Sequence, residues 1–332
     1  MKKIINSPED VVEEMIEGLT KSYPELVHRV GDSRVVARNY EGKGKVGIVS
    51  GGGSGHEPSH AGFVGRGMLA AAVCGDVFTS PTPDQILMAI HEVDKGAGVF
   101  LDIKNYTGDV MNFEMARDMA RDEGIKVEEV VVDDDIAVEN SLYTAGRRGV
   151  AGTVLVHKVL GAAAEAGYTL EQIKSLAEKI IPDIKTIGVA LSAATTPESG
   201  KPGFVLKPDE MEYGVGIHSE PGYRREKLKP SKDIAKELYG KISAEFKLVK
   251  GDKVVVLVNG MGATPLMEQY VFANDVNDLL KADRVEIVKS MVGNYMTSID
   301  MAGISLTLFK IEDPKWLEFI NAPADTIAWK SF

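Results

Sequence analysis

One segment restricts the possible folds more than any other. A short apolar run at residues 46–49 leads directly into four glycines within residues 51–55, and His56 follows at once. Glycine allows positive φ angles and lets a ligand approach main-chain N–H groups closely. In an α/β sheet, ligands usually bind at the carboxyl end of a buried strand. A simple tight turn needs fewer glycines, so the segment predicts a ligand-binding loop.

The glycine-rich segment does not match the common nucleotide-binding signatures. None of the Gly-Lys pairs in the chain is followed by Ser or Thr, which the Walker A motif requires. Residues 42–47 fit the pattern G-x-G-x-x-G, but they precede a predicted strand instead of following one. We therefore expect that this chain holds no nucleotide of its own.

Apolar runs alternate with helical patterns along the first half of the chain. The runs lie at residues 46–49, 99–103 and 127–132, and the helical patterns lie between and after them at about 81–93, 111–123 and 149–166. This alternation is typical of βαβ units. It predicts an α/β fold whose mostly parallel sheet carries helices on both faces.

A new apolar run begins after residue 183, and further runs lie at residues 254–258, 284–288 and 305–309. We therefore predict two α/β domains. The N-terminal domain, residues 1–183, carries the glycine-rich segment. The C-terminal domain, residues 184–332, is smaller and carries His218.

Charge and cysteine content exclude several classes of function. The chain has 38 Lys and Arg against 49 Asp and Glu, a net charge of -11, which disfavours nucleic acid and anionic membranes as partners. Its single cysteine, Cys74, excludes an intrachain disulfide and a cysteine-based metal cage. No apolar stretch is long enough to span a membrane, and the first residues do not resemble a signal peptide. We expect a cytoplasmic protein.

Two further segments carry candidate catalytic groups. Lys104 and Asp109 follow the run at 99–103, where Asp109 could act as an acid or base or could equally cap the next helix. His218 lies between glycines and a Pro-Gly turn, so it could be a base, a metal ligand, a nucleophile or an exposed loop residue.

Other polar residues have weaker signals. The acidic run at residues 133–135 is interpreted as a solvated strand end. His157 is interpreted as structural or surface-exposed, and His60 has no second ligand at a zinc-binding spacing. The glycine turn at residues 259–265 receives no role.

Several ordered strings together resemble the dihydroxyacetone-binding subunits of bacterial phosphoenolpyruvate-dependent dihydroxyacetone kinases. The resemblance spans nearly the whole chain. It rests on GGGSGHEP at 51–58, FTSPTPD at 78–84, KNYTGD at 104–109, YTAGRRGV at 143–150, GVGIH at 214–218 and GATPL at 262–266.

The resemblance implies a role for each candidate residue. His218 would bond covalently to the substrate ketone through a ring nitrogen, as a hemiaminal. Asp109 and His56 would hydrogen-bond the substrate hydroxyls. One of the two would be the base, and the resemblance does not decide which. The pocket would be lined by Gly53, Ser54, Gly55 and Lys104. Ser219 stands where many relatives have glycine, which changes the loop but not the nucleophile.

The chemistry fits a small neutral ketone. A reversible C–N bond adds affinity that so small a ligand cannot gain otherwise, and it rejects glycerol, which has no carbonyl group. The nucleophile must be unprotonated, so activity is expected to fall as the pH is lowered.

The resemblance also implies the cofactors and partners. This chain would bind no cofactor itself; ADP or ATP with Mg²⁺ would be held by a helical partner subunit, recharged through a phosphocarrier protein of the phosphotransferase system. The chain would form a homodimer. The alternative is a non-enzymatic paralogue that senses dihydroxyacetone and acts as coactivator of a transcription regulator.

Overall fold

The computed structural model describes residues 2–332; Met1, the first residue of the predicted N-terminal domain, lies outside the described residues. The helices are α1 Val11–Ser22, α2 Pro83–Val93, α3 Thr107–Asp122, α4 Thr153–Glu165, α5 Leu170–Ile180, α6 Ser231–Phe246, α7 Leu266–Ala282 and α8 Pro314–Asn321. The strands are β1 Val27–Arg29, β2 Val35–Arg38, β3 Gly47–Ser54, β4 Gly65–Arg66, β5 Ala71–Val77, β6 Val99–Lys104, β7 Val127–Val132, β8 Ile184–Ala190, β9 Glu210–Tyr213, β10 Arg224–Lys227, β11 Lys253–Gly260, β12 Glu286–Gly293, β13 Gly303–Lys310, β14 Ala324–Thr326 and β15 Lys330–Ser331.

The first six-stranded sheet has the order β1-β2-β5-β3-β6-β7. Its strands β5, β3, β6 and β7 are parallel, and β1 and β2 are antiparallel additions at one edge. Helices α2 and α3 pack on one face, whereas α4 and α5 pack on the other. Strands β3 and β6 are buried along their whole length, as expected for parallel strands covered on both sides. The predicted α/β architecture is confirmed.

The glycine-rich segment is not a loop over most of its length, which corrects the sequence prediction. Strand β3 continues through Gly51, Gly52 and Gly53 to Ser54, and these residues pair in parallel with β5. The strands approach so closely that a Cβ on Gly51 would lie 2.5 Å from the carbonyl oxygen of Val73. Glycine is therefore needed here for close packing of backbone, and the turn begins only at residue 55.

The second six-stranded sheet has the order β10-β9-β8-β13-β11-β12. Strands β11 and β12 are parallel, while β13 runs antiparallel to both β8 and β11. Helices α6 and α7 cover one face of this sheet. Val255, Leu257 and Phe309 share a core with α4, α5 and α8, so apolar packing continues between the two sheets. The division of the chain after residue 183 stays a prediction.

Only the first residue of the acidic run after β7, Asp133, is exposed, so the interpretation as a solvated strand end is wrong for Asp134 and Asp135. Asp134 is fully buried, and its carboxylate accepts hydrogen bonds of 2.7 Å from the backbone N–H groups of Val150 and Gly152, just before α4. Burial raises the pKa of Asp134 to about 6, although these hydrogen bonds oppose the rise. Asp135 is also buried and pairs with Arg148 at 2.7 Å. Asp134 therefore fixes the start of α4.

None of the helices in residues 2–332 is both long enough and apolar enough to cross a membrane.

Candidate active site

A cavity of about 720 Å³ opens at the carboxyl ends of the neighbouring strands β3 and β6. Its walls include Gly53 at the end of β3, Asp109 in the first turn of α3, and His218. His218 reaches the cavity from the loop that follows β9 of the second sheet. Both sheets therefore contribute to one site, in the position where α/β proteins usually bind ligands.

His218 is oriented by a buried carboxylate two residues further along the chain. Its Nδ1 lies 3.3 Å from Oε1 of Glu220, and its backbone N–H donates to Oε2 at 2.8 Å. Because an ionised carboxylate only accepts hydrogen bonds, Nδ1 carries the hydrogen and Nε2 is left as the reactive nitrogen. Burial alone would raise the pKa of Glu220, but His218 and the Arg148 guanidinium lower it to about 2.

His56 is in direct contact with His218. Its Nδ1–H donates to the carbonyl oxygen of Thr297 at 2.8 Å, and its Nε2 lies 3.0 Å from Nε2 of His218. Both Nδ1 atoms are thus donors, so a hydrogen bond between the Nε2 atoms requires one proton shared by the pair. Burial lowers the pKa of His56 well below its ordinary value, and the charges of His218 and Lys104 add to this effect. A second proton on the pair is therefore disfavoured.

Two aromatic rings enclose the His218 imidazole. The ring of Tyr106 lies 4.5 Å away between centroids and that of Phe78 lies 5.2 Å away, both edge to face. Phe78 also stacks on His56 at 5.1 Å. These contacts restrict both imidazoles to single orientations.

Lys104 and Asp109 form a buried pair beside the histidines. The Nζ of Lys104 donates to the carbonyl oxygen of Gly51 at 3.0 Å and lies 3.4 Å from Oδ2 of Asp109. Within residues 2–332, Oδ1 of Asp109 is buried and has no hydrogen-bond partner. The N-cap of α3 is Tyr106, so the capping interpretation of Asp109 is wrong. A buried acceptor is left free for a ligand hydroxyl.

The remaining predicted pocket residues lie at this strand end but differ in what they face. Gly53 lines the cavity with His218. The Ser54 hydroxyl donates to the carbonyl oxygen of Gly75 at 2.7 Å, and the Gly55 carbonyl accepts from the N–H of Ile299 at 2.8 Å. Ser54 and Gly55 thus use these polar groups within the protein.

The glycine turn at 259–265 had no role assigned from the sequence. In the structure, its first residue, Asn259, holds the segment that bonds His56. The side-chain oxygen of Asn259 accepts from the backbone N–H groups of Tyr295 and Met296 at 2.8 and 2.9 Å. The segment held in this way includes Thr297, whose backbone bonds His56 through both its N–H and its carbonyl. Asn259 therefore helps to position His56.

Four functional contacts were not found from the sequence. Glu220 and Phe78 lie inside or beside the quoted motifs, and the spacing His-x-Glu could have indicated Glu220 as a partner of His218. Tyr106 lies between Lys104 and Asp109 and carried no signal of its own. Thr297 acts through its backbone, so its side-chain type gives no information.

Within the part of the chain that the structure describes, no group of three or more His, Cys, Asp or Glu side chains is placed to hold a metal ion.

Comparison with known proteins gives a family for this chain. The sequence model of the Dak1 domain family matches residues 17–328. The dihydroxyacetone-binding subunit DhaK of PTS-dependent dihydroxyacetone kinase 1 from Listeria innocua is 67% identical, with 99% of this chain and 100% of that subunit covered. The DhaKLM operon coactivator DhaQ of Lactococcus lactis is 46% identical, with 98% and 100% covered.

A solved structure agrees with these similarities in sequence. The crystal structure of the dihydroxyacetone kinase of C. freundii superposes with a TM-score of 0.90 at 33% identity, covering 99% of this chain and 60% of that one. The match extends over both sheets described above. The chain therefore belongs to the Dak1 domain family.

Proposed function

We propose that this chain is the dihydroxyacetone-binding subunit of a PTS-dependent dihydroxyacetone kinase, and that it binds its substrate covalently through Nε2 of His218. The observation that carries the proposal is the contact of 3.0 Å between Nε2 of His218 and Nε2 of His56, at the wall of the cavity. The 67% identity to a protein named as such a subunit supports the same substrate.

The covalent step needs a nitrogen with a free lone pair and, next to it, a group that can donate a proton. The lone pair of His218 Nε2 attacks the carbonyl carbon of dihydroxyacetone, and the C=O π pair moves to the oxygen. That oxygen takes the shared proton from Nε2 of His56, which gives a hemiaminal hydroxyl with no leaving group. The positive charge of the pair is then on the His218 ring, which keeps its Nδ1 hydrogen beside the carboxylate of Glu220. The reverse transfer releases the ketone. A singly protonated histidine pair supplies both the nucleophile and the acid.

Asp109 is our candidate for the base in phosphoryl transfer. Its unpartnered Oδ1 would accept the terminal hydroxyl of the bound substrate and take its proton as the hydroxyl attacks phosphorus. Lys104 keeps the carboxylate in place from the opposite side. This assigns the acid of adduct formation to His56 and the base of phosphoryl transfer to Asp109. For Ser54 and Gly55, direct substrate contact stays a prediction.

The phosphoryl group would come from another subunit. We expect a helical partner to hold ADP or ATP with Mg²⁺ and to be recharged by a phosphocarrier protein of the phosphotransferase system. This chain would supply the substrate, fixed in line with the incoming group, and would act as a homodimer in the cytoplasm.

Reconstitution tests this function. The chain is mixed with phosphoenolpyruvate, the phosphocarrier proteins and the nucleotide-holding subunit of the same organism, and dihydroxyacetone phosphate is measured with a coupled NADH assay. We expect product that depends on every component. A covalent adduct without phosphorylation would favour the coactivator alternative, which the 46% identity to DhaQ motivates.

The structure changes the expectation that activity falls as soon as the histidine is protonated: adduct formation should persist at pH values well below the ordinary pKa of histidine. A second proton on the pair would block Nε2 of His218, but burial and the nearby Lys104 depress the pKa of His56. The fraction of adduct, measured by carbon-13 NMR across the acid and neutral range, should fall only at the acid end. Lys104→Met, which removes one positive charge, should move this fall to higher pH. A wild-type fall at the ordinary histidine pKa would contradict the shared-proton pair.

Gly52→Ala should weaken substrate binding by about 10–100-fold. This is the loss expected when one charge-assisted contact is disturbed, here the contact between Lys104 and Asp109, whose carboxylate would bind a substrate hydroxyl. Gly52 has φ +151°, and a Cβ there would lie 2.3 Å from Nζ of Lys104, so the ammonium must move. Titration with dihydroxyacetone measures the effect. Gly44→Ala is the matched control, because Gly44 also has positive φ but its Cβ would meet nothing within 4 Å among the described atoms. Equal affinities in the two variants would contradict this role of Gly52.

A further inference from the structure

A chain of polar side chains runs from the active site into the core of the first sheet. Nζ of Lys104 lies 3.0 Å from Nε2 of His60, and Nδ1 of His60 lies 2.8 Å from Nε2 of His157. Nδ1 of His157 lies 2.6 Å from Oδ2 of Asp102. All four side chains are buried, and His157 in α4 and Asp102 in β6 are completely so. The mechanism above uses only Lys104.

The hydrogen-bond chemistry gives this chain one direction. Asp102 accepts, so Nδ1 of His157 carries a hydrogen and its Nε2 accepts. Nδ1 of His60 then donates to that nitrogen, which leaves Nε2 of His60 as the acceptor for Lys104. Both histidines are thus neutral Nδ1–H tautomers between an ammonium at one end and a carboxylate at the other.

Lys104 depends on this arrangement because an ammonium has three hydrogens to place. They match the Gly51 carbonyl, Nε2 of His60 and Oδ2 of Asp109, at 3.0, 3.0 and 3.4 Å. Burial, followed by the charge of Lys104, lowers the pKa of His60 well below its ordinary value, so His60 remains an acceptor. Loss of that acceptor would leave one N–H of a buried ammonium unpaired, which is costly.

The end of this hydrogen-bond series that lies farthest from the active site is the carboxylate of Asp102. In the part of the structure that is described, Oδ1 of Asp102 has no hydrogen-bond partner, so the side chain of this buried carboxylate is held by His157 alone. A buried carboxylate with a single side-chain hydrogen bond is unusual unless its negative charge is balanced by a positive charge. The positive charge nearest along the chain of contacts is Lys104.

We propose that Asp102, His157 and His60 are positioning residues, which hold the Lys104 ammonium in the orientation that directs it at Asp109. Asp102 supplies the counter-charge, and the two histidines transmit the direction of the hydrogen bonds. The kinetic consequence rests on the function proposed above, but the hydrogen-bond order does not.

The hydrogen-bond order is tested without substrate. Long-range proton–nitrogen NMR on the full chain, labelled with nitrogen-15, reports the tautomer of each histidine; His60→Gln and His157→Gln assign the signals. We expect Nδ1–H tautomers for both residues. An Nε2–H tautomer or an imidazolium at either position would overturn the proposal, whether or not the wild-type protein forms an adduct.

The kinetic test compares two side chains of similar length. His60→Met removes the acceptor for Lys104, whereas His60→Gln retains an oxygen that can accept. We expect kcat to fall by at least about tenfold in His60→Met and to stay close to wild type in His60→Gln, while the adduct on His218 still forms in both. Equal losses in the two variants would mean that His60 only fills space. If the wild-type protein forms no adduct and no product, the proposed function fails instead.

Discussion

Replacing Asp109 by Asn should lower kcat by about 10²–10⁴-fold while the adduct on His218 still forms. Asn has nearly the same shape and still accepts a hydrogen bond, but its amide cannot take the proton of an attacking hydroxyl. The buried Oδ1 of Asp109, which has no partner within residues 2–332, is where we expect that hydroxyl to bind. The substitution therefore removes the base and keeps most of the pocket.

The measurement separates two steps. Carbon-13 NMR with dihydroxyacetone labelled at the carbonyl carbon follows the adduct, and the reconstituted assay follows turnover. His56→Asn is the informative comparison, because His56 contacts Nε2 of His218 and should be needed for adduct formation itself. Asp118→Asn is the control, since Asp118 lies on the same helix α3 with its side chain 63% exposed. Small and equal losses for Asp109→Asn and His56→Asn would contradict both assignments.

The parallel strands β3, β6 and β7 of the first sheet could be predicted from the sequence because their signals are local, whereas β1, β2 and β5 were not predicted. Apolar strands and amphipathic helices alternate within short windows, and this pattern dictates parallel strands. The mixed order of the second sheet could not be predicted in the same way. There, β13 pairs with both β8 and β11, and such pairings depend on contacts far apart in the chain.

The glycine segment illustrates what residue type alone leaves open. Glycine indicates that backbone or a ligand comes close, but not which of the two. At Gly51 the neighbour is the backbone of β5, whereas at Gly52 it is the ammonium of Lys104. The sequence predicted a ligand-binding loop there, because residue type alone could not distinguish a strand packed against the protein's own groups from a loop.

The residues of the candidate site could be singled out from the sequence where side chains would carry the chemistry, and not where the backbone does. His56, Asp109 and His218 lie in distinctive strings, so they could be singled out. The carbonyl of Thr297, which orients His56 from 241 residues away, has no counterpart in side-chain type. The contact between His60 and His157 likewise joins residues that are 97 positions apart.

Replacing His218 by Ala should abolish the covalent adduct completely. The Ala side chain offers no nucleophile, while His56 has its Nδ1 committed to Thr297 and loses the partner of its Nε2. Because dihydroxyacetone is small, the remaining contacts should hold it only weakly. Phosphorylation should then need much higher substrate concentrations.

Carbon-13 NMR and intact-protein mass spectrometry under non-denaturing conditions measure this result. In the wild type, the carbonyl resonance should be replaced by that of a tetrahedral carbon, and the protein mass should increase by one substrate molecule. Both signals should vanish in His218→Ala and persist in His91→Ala, in which an exposed histidine paired with Glu123 is removed. An adduct that survives in His218→Ala would place the nucleophile elsewhere. No adduct in any of the three proteins would mean that the chain has the family's fold without this covalent chemistry.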